Sequence, residues 1–214
     1  MYIPKHFTPD EGTVRALLAD QGAADLITMT PQGLLATHLP LEYDPTTGDQ
    51  GALIGHLARN NTQWREPVQG EALVIVRGPE AYVTPSWYAT KAEHHRVVPT
   101  WNYITAHVYG RLVVHDDPAW TEAQIRRLTD RYEDGRAEPW SVDQAPMKFI
   151  QGQLRAVVGV ELVISRIEAK FKLSQNQPQA NIEGVIAGLE ARAESEDAAV
   201  AAAVRAHDPH ARPS

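Results

Sequence analysis

The apolar residues of this chain fall into short runs separated by turn residues, and that spacing constrains the fold more than any other feature. Asp25 to Thr30 reads as a strand, Pro31-Gln32-Gly33 as a tight turn, and Leu34 to Leu41 as the returning strand of a hairpin. Gly51 to Ala58 follows a turn-rich stretch containing Asp44-Pro45 and Gly48. Ala72 to Arg77 and Ala81 to Thr84, divided by Gly78-Pro79, read as two more strands in sequence. Trp101 to His115 alternates as one long strand with Gly110 a candidate bulge, and Val157 to Leu173 as a strand pair or one long bent strand. This pattern predicts an antiparallel barrel of about six or seven strands.

Helical signals lie between and after these runs. Thr8-Pro9-Asp10-Glu11 reads as a capping box opening a helix from Pro9 to Gln21, with Val14, Leu17 and Leu18 on one face and Gly22 as its stop. Thr121 with Gln124 three residues on opens a second, carrying Ile125, Leu128 and Tyr132, and Pro146 a short third through Leu154. Asn181 is expected to cap a further helix, after which the Ala-rich segment Glu190 to His207 reads as a peripheral helix or helix pair. Asp208 to Ser214 is expected to fray. The fold class is therefore mainly β with α (α+β): a barrel domain over residues 1–180 with peripheral helices, and a helical tail over 181–214 packed on it.

Composition excludes several chemistries. The 214 residues contain no cysteine, which removes disulfides, thiolate metal sites, iron–sulfur clusters and cysteine nucleophiles. A formal net charge of −7 argues against a surface generally attractive to nucleic acid, so a DNA contact would need a local basic patch. No window approaches the run of about 18 apolar residues that spans a bilayer, and the start lacks the apolar core of a signal peptide, so a cytoplasmic location is the default expectation.

Five segments concentrate polar and aromatic residues beyond what packing requires: Ala36 to Leu41, Gly55 to Asn61, Pro85 to Tyr88 with Lys91, Pro99 to Tyr103, and Lys170 to Gln177. Lys170 and Lys172 alternate with Phe171 and Leu173 and share one strand face, which is either solvent or an anion pocket. His94-His95-Arg96 invites a metal or haem reading, but adjacent histidines on extended chain point in opposite directions. Ser86 and Thr100 lack the strained elbow of an activated nucleophile, and no glycine-rich phosphate loop is present.

Several strings together resemble the PaiB family of FMN-binding negative transcriptional regulators. They are Met1-Tyr2-Ile3-Pro4 with Phe7, Gly55-His56-Leu57-Ala58-Arg59 followed by asparagine, Tyr82 to Tyr88, Val98 to Tyr103, and Lys172-Leu173-Ser174-Gln175-Asn176. The asparagine that matches is Asn60, or Asn61 if the string is shifted by one. The resemblance covers roughly residues 1 to 190 and implies a split β-barrel fold, a homodimer, and FMN held at the subunit interface. For the 5′-phosphate, Arg59, His56, Thr37 and Lys172 supply cations and hydroxyls, with His38 and Asn60 nearby in sequence. For the ring, Trp101, Trp87 and Tyr103 offer walls and Asn102, Gln175 and Asn176 offer amides. Trp87, Tyr88, Trp101 and Tyr103 are equally suited to core or dimer contacts, and a strand histidine such as His38 or His56 is more often structural.

Three roles remain open at this point. The first is an FMN-containing regulator, for which the sequence offers no helix-turn-helix and no basic helix or tail. The second is a flavin-dependent oxidoreductase acting on a small molecule, with Trp87, Tyr88, Lys91 and His95 around the substrate and a Tyr or His, Tyr103 among them, as proton donor. The third keeps the fold with haem, or with an empty or differently occupied cleft, in place of flavin.

Overall fold

The computed structural model describes residues 1–211. Among the described residues there are six strands: β1 Ala23–Thr30, β2 Gly33–Asp44, β3 Ala52–Ala58, β4 Ala72–Val83, β5 Thr100–His115 and β6 Val157–Lys172. They are hydrogen-bonded in the order β1-β2-β3-β6-β5-β4, and β4 returns to β1 to close the barrel. The helices are α1 Glu11–Asp20, α2 Lys91–His94, α3 Pro118–Glu133, α4 Met147–Leu154, α5 Gln179–Arg192 and α6 Asp197–Ala206. No helix among the described residues is long and apolar enough to cross a membrane. The chain forms two compact units. One comprises Met1–Arg15, Arg77–Ala106 and Glu168–Ser214, the other Ala16–Val76 and His107–Ile167, so β4, β5 and β6 each run from one unit into the other.

In the second unit the hairpin appears as the sequence predicts. Thr30 pairs with Gly33 across a two-residue turn, and Gly33 adopts φ +117°, a conformation that favours glycine. Leu26, Thr28 and Thr30 of β1 alternate into the interior. Strand β3 is buried on both faces from Ala52 to Gly55, because helix α3 packs on its outer side. Gly159 of β6 makes room for this packing, since a Cβ there would lie 2.3 Å from the Trp120 indole. That indole stacks on His115 at 4.0 Å, and His115 Nε2 pairs with Glu161 at 2.9 Å.

The segment read as two strands about Gly78-Pro79 is the single strand β4. Its inward residues are Ala72, Val74 and Val76, then Ala81 and Val83, so the buried set passes from even to odd positions across Gly78–Glu80. One extra residue does this without ending a strand. Gly78 permits it, because a Cβ there would lie 2.8 Å from Ile104 Cβ. The buried even positions of β5 run from Asn102 to Gly110 and lapse after it, where Val114 is exposed, and Gly110 also serves close approach to β6, where a Cβ would meet the Val163 carbonyl oxygen at 2.2 Å. The segment Val157 to Leu173 resolves as one long strand, whose buried set passes from Val158, Val160, Leu162 and Ile164 to Ala169 and Phe171. Its second half therefore directs Lys170 and Lys172 outward.

Three caps differ from the sequence reading. Asp10, rather than Thr8, accepts from the Thr13 amide at 2.8 Å. Helix α3 begins at Pro118 under Asp117, which accepts from Ala119 N at 2.9 Å, while Thr121 and Gln124 are buried inside the helix. Helix α5 begins at Gln179, and Asn181 is a buried bracket whose amide donates to Thr90 Oγ1 and Gln177 Oε1 at 3.0 Å each. Of the terminal segment expected to fray, Asp208–Ala211 form a turn and residues 212–214 lie outside the described residues.

The Ala-rich segment is a helix, α6, joined to α5 by a charged corner. Arg192 grips both oxygens of Asp197 at 2.7 and 2.5 Å, Asp197 also accepts from Glu194 N at 2.9 Å, and the Arg192 guanidinium lies over Trp87. Trp87 in turn fits against Gly188, where a Cβ would be 2.2 Å from the ring. The Arg192 hydrogen bonds hold the Asp197 carboxyl below 3.8, its ordinary value. Because the folded value is the lower one, this stabilisation is complete above the ordinary value and is lost as pH falls through the folded one. Asp197→Asn is expected to cost on the order of 2 kcal/mol near neutral pH. Urea unfolding should show the gap to the parent narrowing as pH drops below 3.8; a gap constant with pH would contradict this account.

Candidate functional site

The sequence candidates divide between the two units, and each group has its own bonding. In the second unit, Thr37 of β2 accepts from Asn61 Nδ2 at 2.8 Å and donates to Gln63 Oε1 at 2.5 Å. Gln63, buried in a 3-10 turn over Thr62–Trp64, passes the network on to Leu26 O and Thr28 Oγ1 at 3.2 and 3.1 Å. Asn61 also caps that turn, accepting from Gln63 N at 2.9 Å, whereas Asn60 is exposed. His38 pairs with Asp25 across the hairpin at 2.9 Å, and His56 Nδ1 meets Gln124 Oε1 of α3 at 2.9 Å. Gln63 escaped the sequence reading because a lone glutamine in a turn carries no signal of burial.

Arg59, the most obvious phosphate cation in the sequence, is occupied. Its guanidinium forks onto Asp116 at 3.2 and 2.6 Å and also donates to the carbonyls of Arg155 and Val157 at 2.8 and 3.1 Å. The pairing raises the arginine pKa and lowers that of Asp116, each chiefly through the shared hydrogen bonds. Arg59 thereby joins the end of β3 to the starts of α3 and β6.

In the first unit the β5 entry and the end of β6 form one cluster. Lys172 Nζ contacts Thr100 Oγ1 and donates to the Trp101 carbonyl at 2.8 Å. No carboxylate pairs with it among the described residues. Burial, and secondarily the neighbouring Lys170, lower its pKa from 10.5. Beside it Asn102, 1% exposed, exchanges hydrogen bonds with Ser174 Oγ at 3.0 and 3.2 Å. Ser174 holds φ +67°, a left-handed conformation uncommon for serine. Gln175 is turned back on the strand end, accepting from Leu173 N at 2.8 Å and donating to Phe171 O at 2.7 Å. Val98, Thr100, Asn102, Lys172, Ser174 and Asn176 surround a cleft of about 190 Å³.

The remaining candidates of this unit lie apart from that cleft's lining. Trp101 is 51% exposed and meets Tyr82 edge-to-face, while Tyr103 faces Lys170. Trp87 is packed under α5 and Tyr88 is buried, which raises its phenol pKa. Lys91 donates to Ser86 at 3.1 Å, and His95 is exposed at the left-handed C-terminus of α2.

Residues 1–166 match the family described as "Putative FMN-binding domain". The chain is 32% identical over 192 residues to "Protease synthase and sporulation protein PAI 2" of Bacillus subtilis (strain 168), covering 89% of each protein. The chain belongs to the PaiB family of FMN-binding proteins. Another relative, the uncharacterised Saccharomyces cerevisiae protein YKL070W, is 32% identical over 170 residues, which is 70% of this chain and all of that protein. Among solved structures, the flavocytochrome Anf3 from Azotobacter vinelandii superposes with TM-score 0.55 at 18% identity, over 76% of this chain and 67% of that one. The FAD and haem binding protein from Mycobacterium smegmatis gives TM-score 0.55 at 18% identity, over 78% and 74%. Both share the split-barrel fold.

FMN is the cofactor of this PaiB-family chain, and the Lys172 cleft fits its phosphate end. An ammonium without a carboxylate partner, a hydroxyl at Thr100 and amides at Asn102 and Asn176 are the groups that bind a phosphate dianion. Arg59, by contrast, holds the chain together. Arg59→Gln is expected to lower the melting temperature markedly, because Asp116 and two carbonyls lose their partner. Differential scanning calorimetry of the flavin-free protein checks this, and an unchanged transition would return Arg59 to the pool of ligand-binding cations.

Proposed function

We propose that this chain works as an FMN-binding homodimer of regulatory type, with the flavin phosphate on the cleft formed by Thr100, Asn102, Lys172 and Asn176. The observation that carries the reading is Lys172, a half-buried ammonium whose bonds among the described residues go only to a hydroxyl and a carbonyl. Burying a charge without a counter-charge is costly, and an anionic ligand offsets that cost.

The size of the cleft supports the homodimer. A cleft of about 190 Å³ is smaller than the roughly 300–1,000 Å³ typical of small-molecule sites. On this reading one copy's cleft would cover the phosphate end, and a second copy related by twofold symmetry would cover the rest. The regulatory role rests on the resemblance of the strings to the PaiB family, whose Bacillus subtilis relative is named "Protease synthase and sporulation protein PAI 2". FMN, when bound, supplies hydride and one-electron chemistry to any small molecule that reaches its ring. The residues expected to line a substrate pocket favour binding over turnover: Trp87 and Tyr88 are committed to packing, and Lys91 and His95 are exposed. Haem gains no support from His38, His56 or His115, each already bonded to Asp25, Gln124 or Glu161.

Titration of the purified protein with FMN and with riboflavin, followed by flavin fluorescence, tests the reading. Lys172→Met is expected to weaken FMN about 10- to 150-fold, the value of one charge-assisted hydrogen bond, and to leave riboflavin unchanged. Sedimentation of the FMN-loaded protein is expected at twice the 23.7 kDa chain mass. Equal losses for FMN and riboflavin, or a sedimenting monomer, would overturn the phosphate assignment or the dimer respectively.

A further inference from the structure

A second cavity of the first unit, about 410 Å³, opens beside the outward positions of β4 and the corner between α5 and α6. Its apolar walls are the rings of Tyr82 and Trp101, 39% and 51% exposed, which meet edge-to-face with centroids 6.1 Å apart and planes at 69°. Two rings so inclined form two sides of an aromatic corner. Tyr82 is held in place through its carbonyl, which accepts from Arg192 at 3.1 Å.

The charges around the corner are uneven. Four carboxylates, from Glu80, Glu194, Glu196 and Asp197, face two guanidinium groups, from Arg77 and Arg192. Arg192 and Asp197 neutralise one another, and Glu194 leans on the same arginine at 3.3 Å. Arg77 has an interaction of its own within the fold. Glu196 accepts from the Glu80 amide at 2.8 Å, which fixes a carboxylate at the rim, and the Glu80 side chain is exposed beside it. Aromatic faces attract a cation through their quadrupole, and carboxylates at the rim add to that attraction.

We propose that this corner binds a small organic cation of the quaternary ammonium class, its charge against Tyr82 and Trp101 and balanced by Glu80 and Glu196. Such a cation donates no hydrogen bonds, so its attraction to the corner comes from the ring faces and the carboxylate charge at the rim. The inference does not rest on the flavin reading, because the Trp101 ring, and not its carbonyl, forms the wall.

The probe is choline, titrated into the full chain and followed by ligand-observed NMR, beside the neutral isostere in which a tert-butyl group replaces the trimethylammonium. Choline is expected to bind at least about tenfold more tightly than the isostere. Trp101→Leu is expected to weaken choline about tenfold with the far-ultraviolet circular dichroism unchanged. The double variant Glu80→Gln with Glu196→Gln, which keeps an oxygen for the Glu80 amide, should weaken choline and leave the isostere alone. Equal binding of the two probes, no saturation with choline, or undiminished binding by a folded Trp101→Leu would overturn the proposal.

Discussion

Strand β6 changes its inward face once along its length, and much else follows from that change. Through Ile164 the even-numbered residues fill the interior; from Ala169 the odd-numbered ones do. Without the change, Lys170 and Lys172 would point into an apolar core, where an unpaired ammonium is prohibitively costly. With it, the same strand seals one part of the interior and presents two cations on the outside of another. Strand β4 makes the matching change at Gly78–Glu80, while β5 keeps its even positions buried from Asn102 to Gly110. The two long neighbours of β5 thus each carry one departure from strict alternation.

The two cations that the family strings single out have opposite fates. Arg59 has a planar fork, and the fold uses it as such, spanning one carboxylate and two carbonyls. Lys172 is a compact charge and, among the described residues, has only neutral partners, Thr100 and the Trp101 carbonyl, within a half-buried cleft. Residue type explains the division: a guanidinium satisfies several fixed acceptors at once, whereas an ammonium can turn from a carbonyl towards an incoming anion. Burial makes the lysine's charge costly and so lowers its pKa.

Much of the fold was legible because alternation survives in the sequence. The β1–β2 hairpin, the long β5 and the C-terminal helices α5 and α6 all follow from period and turn residues. The errors have a common physical origin. Gly78-Pro79 resembles a turn, yet the strand continues because Ile104 occupies the space a side chain would fill. Thr121 and Gln124 resemble a cap, yet Asp117 and Pro118 four residues earlier start the helix and bury both. At the candidate site, Lys172, Asn102 and Asn176 belong to the family strings, and the structure brings them around one cleft. The occupation of Arg59 by Asp116, the buried amide of Gln63 and the left-handed Ser174 were not legible, since each depends on partners distant in sequence.

We propose that the Lys172 ammonium holds the phosphate of FMN. The phosphorus NMR shift of the bound flavin, followed through mildly acidic pH, measures that contact from the ligand's side. A cation held against the phosphate favours its dianion, so the bound group should titrate clearly below the value near 6 typical of a free monoester. A bound phosphate that titrates at the free value, or a depression that persists in Lys172→Met, would contradict the assignment.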